Sequence, residues 1–304
     1  MIRAGATVGF VGLGRMGTPM ATRLAEAGYR VQGYDFSEQA VRSWAERAEG
    51  ARPAASLDAA AAGAAAVILM LPDSAVVRGA LDGLVLAPGT VIVDMSSSEP
   101  LVTRELAAEI ARGGATLVDA PVSGGVTGAV SGRLTIMAGG APADIDHVRP
   151  LLDVLGARVV HCGDVGAGHA VKALNNLLSA THLLATSEAM TAAAAFGLDV
   201  PTVLAAINTS SGRSGSTETK WPNFIVPRTF DSGFSLRLMV KDMRIALGLA
   251  EAAGTPAALS AAAAGLWAEA AQALPSGADH TEIARWLERL TSAGEQDSHA
   301  AGSR

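Results

Sequence analysis

Hydrophobic and polar positions in the first half of the chain follow two alternating rhythms. Short runs of β-branched and aliphatic residues at Thr7–Val11, Arg30–Tyr34, Val67–Leu71, Thr90–Asp94, Thr116–Asp119, Leu134–Ala138 and Arg158–His161 predict strands. Between them, the spacing of Met16, Met20 and Leu24, or of Leu101, Glu105 and Glu109, predicts helices. Apolar strands separated by helices predict an α/β domain with a mostly parallel, doubly wound sheet covered on both faces. Past His161 the strand rhythm stops. Gly168–Phe196 contains no proline and no strand pattern, which predicts one long helix with Gly197 as its C-cap. Further helices are predicted at Pro201–Asn208, Leu236–Ala253, Pro256–Leu274 and Asp279–Leu290, with a Ser-, Gly- and Pro-rich loop over Ser210–Gly233. The expected domains are residues 1–163, then an all-α domain at 164–290 that begins with an interdomain helix. Residues 291–304 have almost nothing to bury and are expected to be a disordered tail.

Composition narrows the class. Of the 304 residues, 49% are hydrophobic and 17% charged, and 23 basic against 29 acidic side chains leave a net charge of −6. That balance argues against a nucleic-acid partner, which calls for a basic face, and the apolar content excludes a mainly disordered chain. No apolar run approaches the roughly 20 residues needed to cross a bilayer. The N-terminus runs straight into the first strand without the separate regions of a signal peptide, so a soluble cytoplasmic protein with no membrane partner is expected. The single cysteine, Cys162, excludes an intramolecular disulfide and a cysteine-ligated zinc site; its expected role is a buried structural thiol. The histidines form no metal-ligand constellation, so no metal is expected.

Candidate chemistry starts at the first turn. Strand Thr7–Val11 leads into Gly12-Leu13-Gly14-Arg15-Met16-Gly17, and a helical pattern follows at once. Gly12 permits the tight turn, Gly14 lets the backbone approach a pyrophosphate, and Gly17 lets the helix pack on the sheet. The helix N-terminus offers N–H groups to the phosphates. The second strand ends at Asp35, 21 residues beyond Gly14, close to the spacing at which a Rossmann-type domain places the carboxylate that grips the ribose hydroxyls. A carboxylate there repels a 2′-phosphate, and Phe36 rather than an arginine follows it, so NAD is favoured over NADP. The plainer alternative for Asp35 is a turn or N-cap residue beside Ser37. A methyltransferase also uses a glycine loop and a later acidic residue, but has no reason to place a lysine-bearing helix in the second half.

Two further segments carry chemistry. In Asp119-Ala-Pro-Val-Ser-Gly-Gly125, the N–H groups of Ser123, Gly124 and Gly125 can form an anion nest suited to a carboxylate, or an ordinary turn. In Gly166-Ala-Gly-His-Ala-Val-Lys172-Ala-Leu-Asn-Asn176, Lys172 and Asn176 stand at i and i+4 on one helix face, and Ser179 continues it at i+7. A lysine in so apolar a helix either snorkels to the surface or is desolvated and ready to exchange a proton. His169 and His182 read as helix or interface residues.

Four motifs in this order and spacing resemble the β-hydroxyacid dehydrogenases, the group that contains 3-hydroxyisobutyrate dehydrogenase and tartronate semialdehyde reductase. They are Gly9-Phe-Val-Gly-Leu-Gly-Arg-Met-Gly17, Asp119–Gly125, Gly166–Asn176, and Lys241-Asp242 within a helical run, and the resemblance covers Thr7 to about Ala250. It implies an NAD(P)-dependent oxidoreductase that interconverts a small 3-hydroxy acid and its semialdehyde by hydride transfer. It implies Lys172 as the general acid/base, Asn176 as its partner on the substrate, and Ser123, Gly124 and Gly125 as the carboxylate site. Gly12, Leu13, Gly14, Arg15, Met16 and Asp35 would bind the cofactor. Leu71 and Pro72 would line it, Ser97 would stand where the family usually has threonine, and Lys241 would close from the helical domain. The other reading of Lys241 is a surface residue paired with Asp242 or Glu251. A free lysine has a pKa of about 10.4, so base catalysis near neutrality needs desolvation or a second positive charge, which Lys241 would supply.

The alternatives are an imine reductase, in which the catalytic lysine is commonly replaced, 6-phosphogluconate dehydrogenase, disfavoured by length and by Ser179, and a silent dinucleotide-binding module. The substrate's far end stays open: Arg213, Lys220 and Arg237 suit a second acidic group, Trp221 and Phe234 a short apolar one, and a solvated loop is the third possibility. Leu174, Leu177, Leu178, Leu183 and Leu184 leave the long helix apolar on more than one face, so a homodimer or homotetramer is expected.

Overall fold

The computed structural model describes residues 1–82 and 84–290. The chain divides into two compact units, Met1–Lys172 and the part from Ala173 onward, so the division falls inside the long helix.

The first unit is a nine-stranded sheet with helices on both faces. Its elements run β1 (Thr7–Val11), α1 (Gly17–Glu26), β2 (Arg30–Tyr34), α2 (Glu38–Ala45), β3 (Arg52–Pro53), α3 (Leu57–Ala61), β4 (Ala66–Leu69), α4 (Ser74–Leu81), β5 (Val91–Asp94) and α5 (Pro100–Ala111). They continue as β6 (Thr116–Asp119), β7 (Val122–Ser123), α6 (Gly125–Ser131), β8 (Leu134–Gly139), α7 (Pro142–Leu155), β9 (Gly156–Gly163) and the start of α8 (Ala167–Ala195). The strand order is β3-β2-β1-β4-β5-β6-β8-β7, with β9 also paired to β8. β1 to β6 are parallel; β8 runs against β6 and β7, and β9 is parallel to β8. The doubly wound α/β expectation therefore holds, with a mixed edge.

The period of two along each strand sorts side chains onto two faces. Val8, Phe10, Ala66, Ile68, Val91 and Val93 join one core with Met20, Leu24, Trp44 and Leu151 from α1, α2 and α7. Their neighbours Val11, Val67, Leu69 and Ile92 join the opposite core with Ala60, Val77 and Leu106 from α3, α4 and α5. β3 and β7, two residues each, were too short to leave a periodic signal. β4 stops at Leu69, two residues before the expected Leu71. Cys162 departs from expectation: it lies on β9, whose outer positions are largely exposed, and is half-buried rather than buried. Burial and the charge of Asp119 both push its thiol pKa up.

The second unit is helical: the rest of α8, α9 (Val200–Asn208), a π-helix (Ser216–Ile225), α10 (Leu236–Ala252), α11 (Ala258–Ala273), a 3₁₀ turn (His280–Glu282) and a helix, α12, over 283–290. The loop expected over Ser210–Gly233 is thus corrected: its centre is π-helical, with Trp221 and Ile225 in the core beside Trp267, Met243 and Leu183. Pro222 and the glycines masked a helical register that only this packing stabilises. The tail expected at 291–304 lies outside the described residues. Among the described residues no helix is long and apolar enough to cross a membrane.

A polar clamp closes this unit. The Asp279 carboxylate accepts from Gly233 N at 2.8 Å, Thr281 N at 2.9 Å and Ser232 Oγ at 2.8 Å. Burial opposes its ionisation, but hydrogen bonds from His280 and Thr281 win and hold it well below the usual carboxylate range. His280 is also buried, and its Nδ1 faces the Phe234 carbonyl at 3.2 Å. Burial pushes its imidazole below the usual value, the charge of Lys220 acts the same way, and Asp279 opposes both. A histidine held neutral in the folded state stabilises fully above its unfolded pKa of about 6.5, and that stability is lost as pH falls below it. Melting temperature is therefore expected to fall between pH 7.5 and 5.5, and His280→Gln to flatten that slope; a slope unchanged in the variant would remove His280 as its source.

Candidate active site

Parallel strands put their carboxyl ends on one edge of the sheet, and the loops that follow β1, β2, β4, β5 and β6 carry most of the predicted site. Gly12 has φ +100, and a Cβ on it would fall 2.3 Å from the Met70 carbonyl oxygen. A Cβ on Gly17 would fall 1.8 Å from the Gly12 carbonyl oxygen. Gly14, by contrast, faces open space, at one end of an open surface groove that continues past Thr18, Thr22 and Glu26 of α1 to Val126 and Val130 of α6. The N-terminus of α1 has no side-chain cap. Open space, a glycine backbone and an uncapped helix start are what a pyrophosphate requires, so the residues present fit a dinucleotide.

Asp35 takes the turn position that the sequence allowed and is tied to the glycine loop as well. Its Oδ1 accepts from Ser37 N at 2.8 Å, the turn reading. Its Oδ2 accepts from Leu13 N at 2.7 Å, which ties it to the glycine loop. Ser37, not Asp35, caps α2. A carboxylate has about four acceptor sites, so capacity remains for ribose hydroxyls. Phe36 is exposed and stacks edge-on against Tyr34. In the neighbouring loops, Leu71 N donates to Ser96 Oγ at 2.9 Å, with Pro72 exposed and Ser97 half-buried. After β6, Gly124 and Gly125 take φ +129 and +60 at the start of α6, next to half-buried Ser123.

One network there escaped the sequence reading. Asp119, at the end of β6 and in register with Asp94 on β5, accepts from Gly166 N at 2.6 Å and His169 N at 2.8 Å, and so caps α8. His169 is a helix residue, as expected, and is fully buried in the first turn of α8. Its Nε2 lies 3.2 Å from the Ser96 carbonyl, its Nδ1 2.8 Å from Thr103 Oγ1, and Asp94 Oδ2 stands 3.8 Å away. The usable signal was two aspartates ending adjacent strands. Lys172 lies one turn past His169 and is itself buried.

Within the second unit, Asn176 is buried and held at both ends of its amide. Its Nδ2 donates to Asp242 Oδ2 at 2.5 Å and its Oδ1 accepts from Asn175 Nδ2 at 3.1 Å. Asp242, which sequence reasoning left without a role of its own, is also buried, and its Oδ1 stands 3.4 Å from Lys241 Nζ. The pairing alternative for Lys241 is therefore realised. Lys220 Nζ donates to Ser179 Oγ at 2.7 Å, whereas Arg213 pairs with Glu218 at 3.4 Å and Arg237 is exposed.

A doubly wound sheet with this glycine turn, followed by a helical unit, defines the class of dinucleotide-binding folds. Residues 7–163 match a family profile described as the NAD binding domain of 6-phosphogluconate dehydrogenase, and residues 166–287 one described as NAD-binding of NADP-dependent 3-hydroxyisobutyrate dehydrogenase. The chain is 38% identical to 2-(hydroxymethyl)glutarate dehydrogenase of Eubacterium barkeri, over 84% of this chain and 86% of that protein. It is 37% identical to NAD-dependent L-serine dehydrogenase of Pseudomonas aeruginosa, over 86% and 90%. The solved 3-hydroxyisobutyrate dehydrogenase of Mycobacterium tuberculosis with L-serine superposes with a TM-score of 0.88 at 33% identity, covering 93% of this chain and 99% of that one. Solved imine reductases share the fold alone, at 21% and 24% identity. The chain belongs to the β-hydroxyacid dehydrogenase family and is a nicotinamide-dependent oxidoreductase.

The Gly17 contact makes a stability prediction. Gly17→Ala must displace backbone and is expected to cost about 1–3 kcal/mol, with loss of cofactor binding. Gly14→Ala, facing open space, should cost under about 1 kcal/mol. Thermal melts with and without cofactor check both.

Proposed function

We propose that the chain interconverts a small 3-hydroxy acid and its semialdehyde, with NAD preferred over NADP and Lys172 as the general acid/base. The observation that carries this reading is a buried lysine one helical turn before a buried, doubly held asparagine on α8. A bound nicotinamide accepts or supplies the hydride. In reduction the Lys172 ammonium polarises the carbonyl oxygen and donates its proton; in oxidation the neutral amine takes the hydroxyl proton. Such help is worth about 10²–10⁴ in rate. Asn176, fixed by Asp242 and Asn175, orients the substrate hydroxyl. Ser123, Gly124 and Gly125 receive its carboxylate.

Residues 1–163 are assigned to the cofactor and 164–290 to substrate and assembly. Gly12, Leu13, Gly14, Arg15 and Met16 would cradle the pyrophosphate, and Asp35 would take the ribose hydroxyls and reject a 2′-phosphate. Leu71, Pro72 and Ser97 would border the nicotinamide half. Lys241 would contribute from the helical unit, where Asp242 stands beside it. Exposed Leu174 and Leu178 on α8 support a homodimer or homotetramer. A cytoplasmic location fits the lone cysteine and acidic balance.

Initial rates of cofactor reduction test the assignment, with NAD and NADP in parallel and 3-hydroxyisobutyrate, 3-hydroxypropionate and L-serine as substrates. NAD-linked turnover that falls at least about 100-fold in Lys172→Ala is expected. Undiminished turnover in the variant would remove Lys172 from the chemistry, and a preference for NADP would overturn the role of Asp35. Sedimentation at micromolar concentration is expected to give twice or four times the chain mass; a monomer would refute the assembly.

A further inference from the structure

Three cations were candidates for the substrate's far end, and the fold separates them. Arg213 is exposed and paired with Glu218, and Arg237 is exposed on α10. Lys220 differs from both. The π-helix carries it half-buried to α8, where its Nζ donates to Ser179 Oγ. Ser179 follows Asn176 by three positions and Lys172 by seven, so all three share one face of the helix. At 1.5 Å per residue, Ser179 stands about 4.5 Å along the axis beyond Asn176. The π-helix is anchored at this point: Asn208 Nδ2 donates to the Thr217 carbonyl at 3.1 Å, and Trp221 is buried in the core.

The packing counts against the apolar alternative. Trp221 is a core side chain, and Phe234 stacks edge-on against His280 with centroids 5.7 Å apart. Neutral His280 lies close enough to Lys220 to feel its charge, and its Nε2 is buried without a hydrogen-bond partner. The end of the face beyond Asn176 is therefore cationic and polar.

From this we infer that Lys220 is a specificity-determining residue for a 3-hydroxy acid bearing a second carboxylate, carried on the carbon between the first carboxylate and the carbinol. The inference rests on the assignment of Lys172 and Asn176 to the reacting carbon. A substituent of two methylenes ending in a carboxylate spans the interval from the level of Asn176 to that of Ser179. A methyl group falls short of it, and an ammonium, as in serine, meets a like charge.

The test compares kcat/KM for 2-(hydroxymethyl)pentanedioate, 3-hydroxyisobutyrate and L-serine in the wild type, Lys220→Gln and Lys220→Arg. The wild type should prefer the dicarboxylate. Lys220→Gln keeps a donor for Ser179 but removes the charge, and should lower the dicarboxylate-to-monocarboxylate ratio by about tenfold to a hundredfold, mainly through KM. Lys220→Arg should retain most of the ratio. A merely structural lysine would move both substrates together, and an unchanged ratio in a folded Lys220→Gln, or a wild-type preference for serine, overturns the inference. Calorimetric binding of glutarate against butyrate, in the presence of cofactor, provides the arm that needs neither turnover nor a folded variant. Tighter glutarate binding supports the role of Lys220 even if no hydroxy acid is oxidised, an outcome that would sink only the proposed reaction. Equal binding overturns the role of Lys220 alone.

Discussion

Asp119 is the constraint on which the first unit depends. Its buried carboxylate ends β6 and accepts the backbone N–H groups of Gly166 and His169, so the start of α8 is fixed to the carboxyl edge of the sheet. A charged acceptor at a helix N-terminus answers both the open N–H groups and the helix dipole. The approach is close enough that a Cβ on Gly168 would fall 2.2 Å from the Met137 carbonyl oxygen and 2.9 Å from Asp119 Oδ2. Lys172 inherits its place from that anchor, one turn further along.

The polar interior around His169 extends the same logic. Ser96, Ser98, Thr103, Asp94 and His169 are all buried, and they satisfy one another: Ser96 N and Ser98 Oγ donate to Asp94 at 3.0 and 2.9 Å, and the Thr103 hydroxyl meets the imidazole. A buried polar network is rigid when every member is paired and costly when one is not. Here it joins β5, α5 and α8 and, through Leu71 N on Ser96 Oγ, the loop after β4. Four segments of a dinucleotide-binding edge are thereby set by hydrogen bonds rather than by apolar packing, which is less directional.

Strands and helices buried by simple periodicity were legible in the sequence. β1, β2 and β6 have the expected limits, because alternation between two cores writes itself into every second residue. The glycine turn was legible because Gly12 and Gly17 face backbone oxygens that no side chain could approach. The partners of His169 were not legible, since a lone histidine on an apolar helix gives no sign of groups 66 and 73 positions away. Asp242 was passed over for a similar reason: its partner Asn176 is 66 residues distant.

The sequence by itself determined the fold class, the dinucleotide turn and the pairing of Lys172 with Asn176 on one helix face. Each of these is local, encoded in steric limits or in a helical repeat. Only the tertiary structure decided that Ser210–Gly233 holds a π-helix, that Lys220 rather than Arg213 or Arg237 reaches α8, and that Asp119 caps that helix. Those outcomes depend on which distant groups arrive at hydrogen-bonding distance, which no local pattern along the chain records.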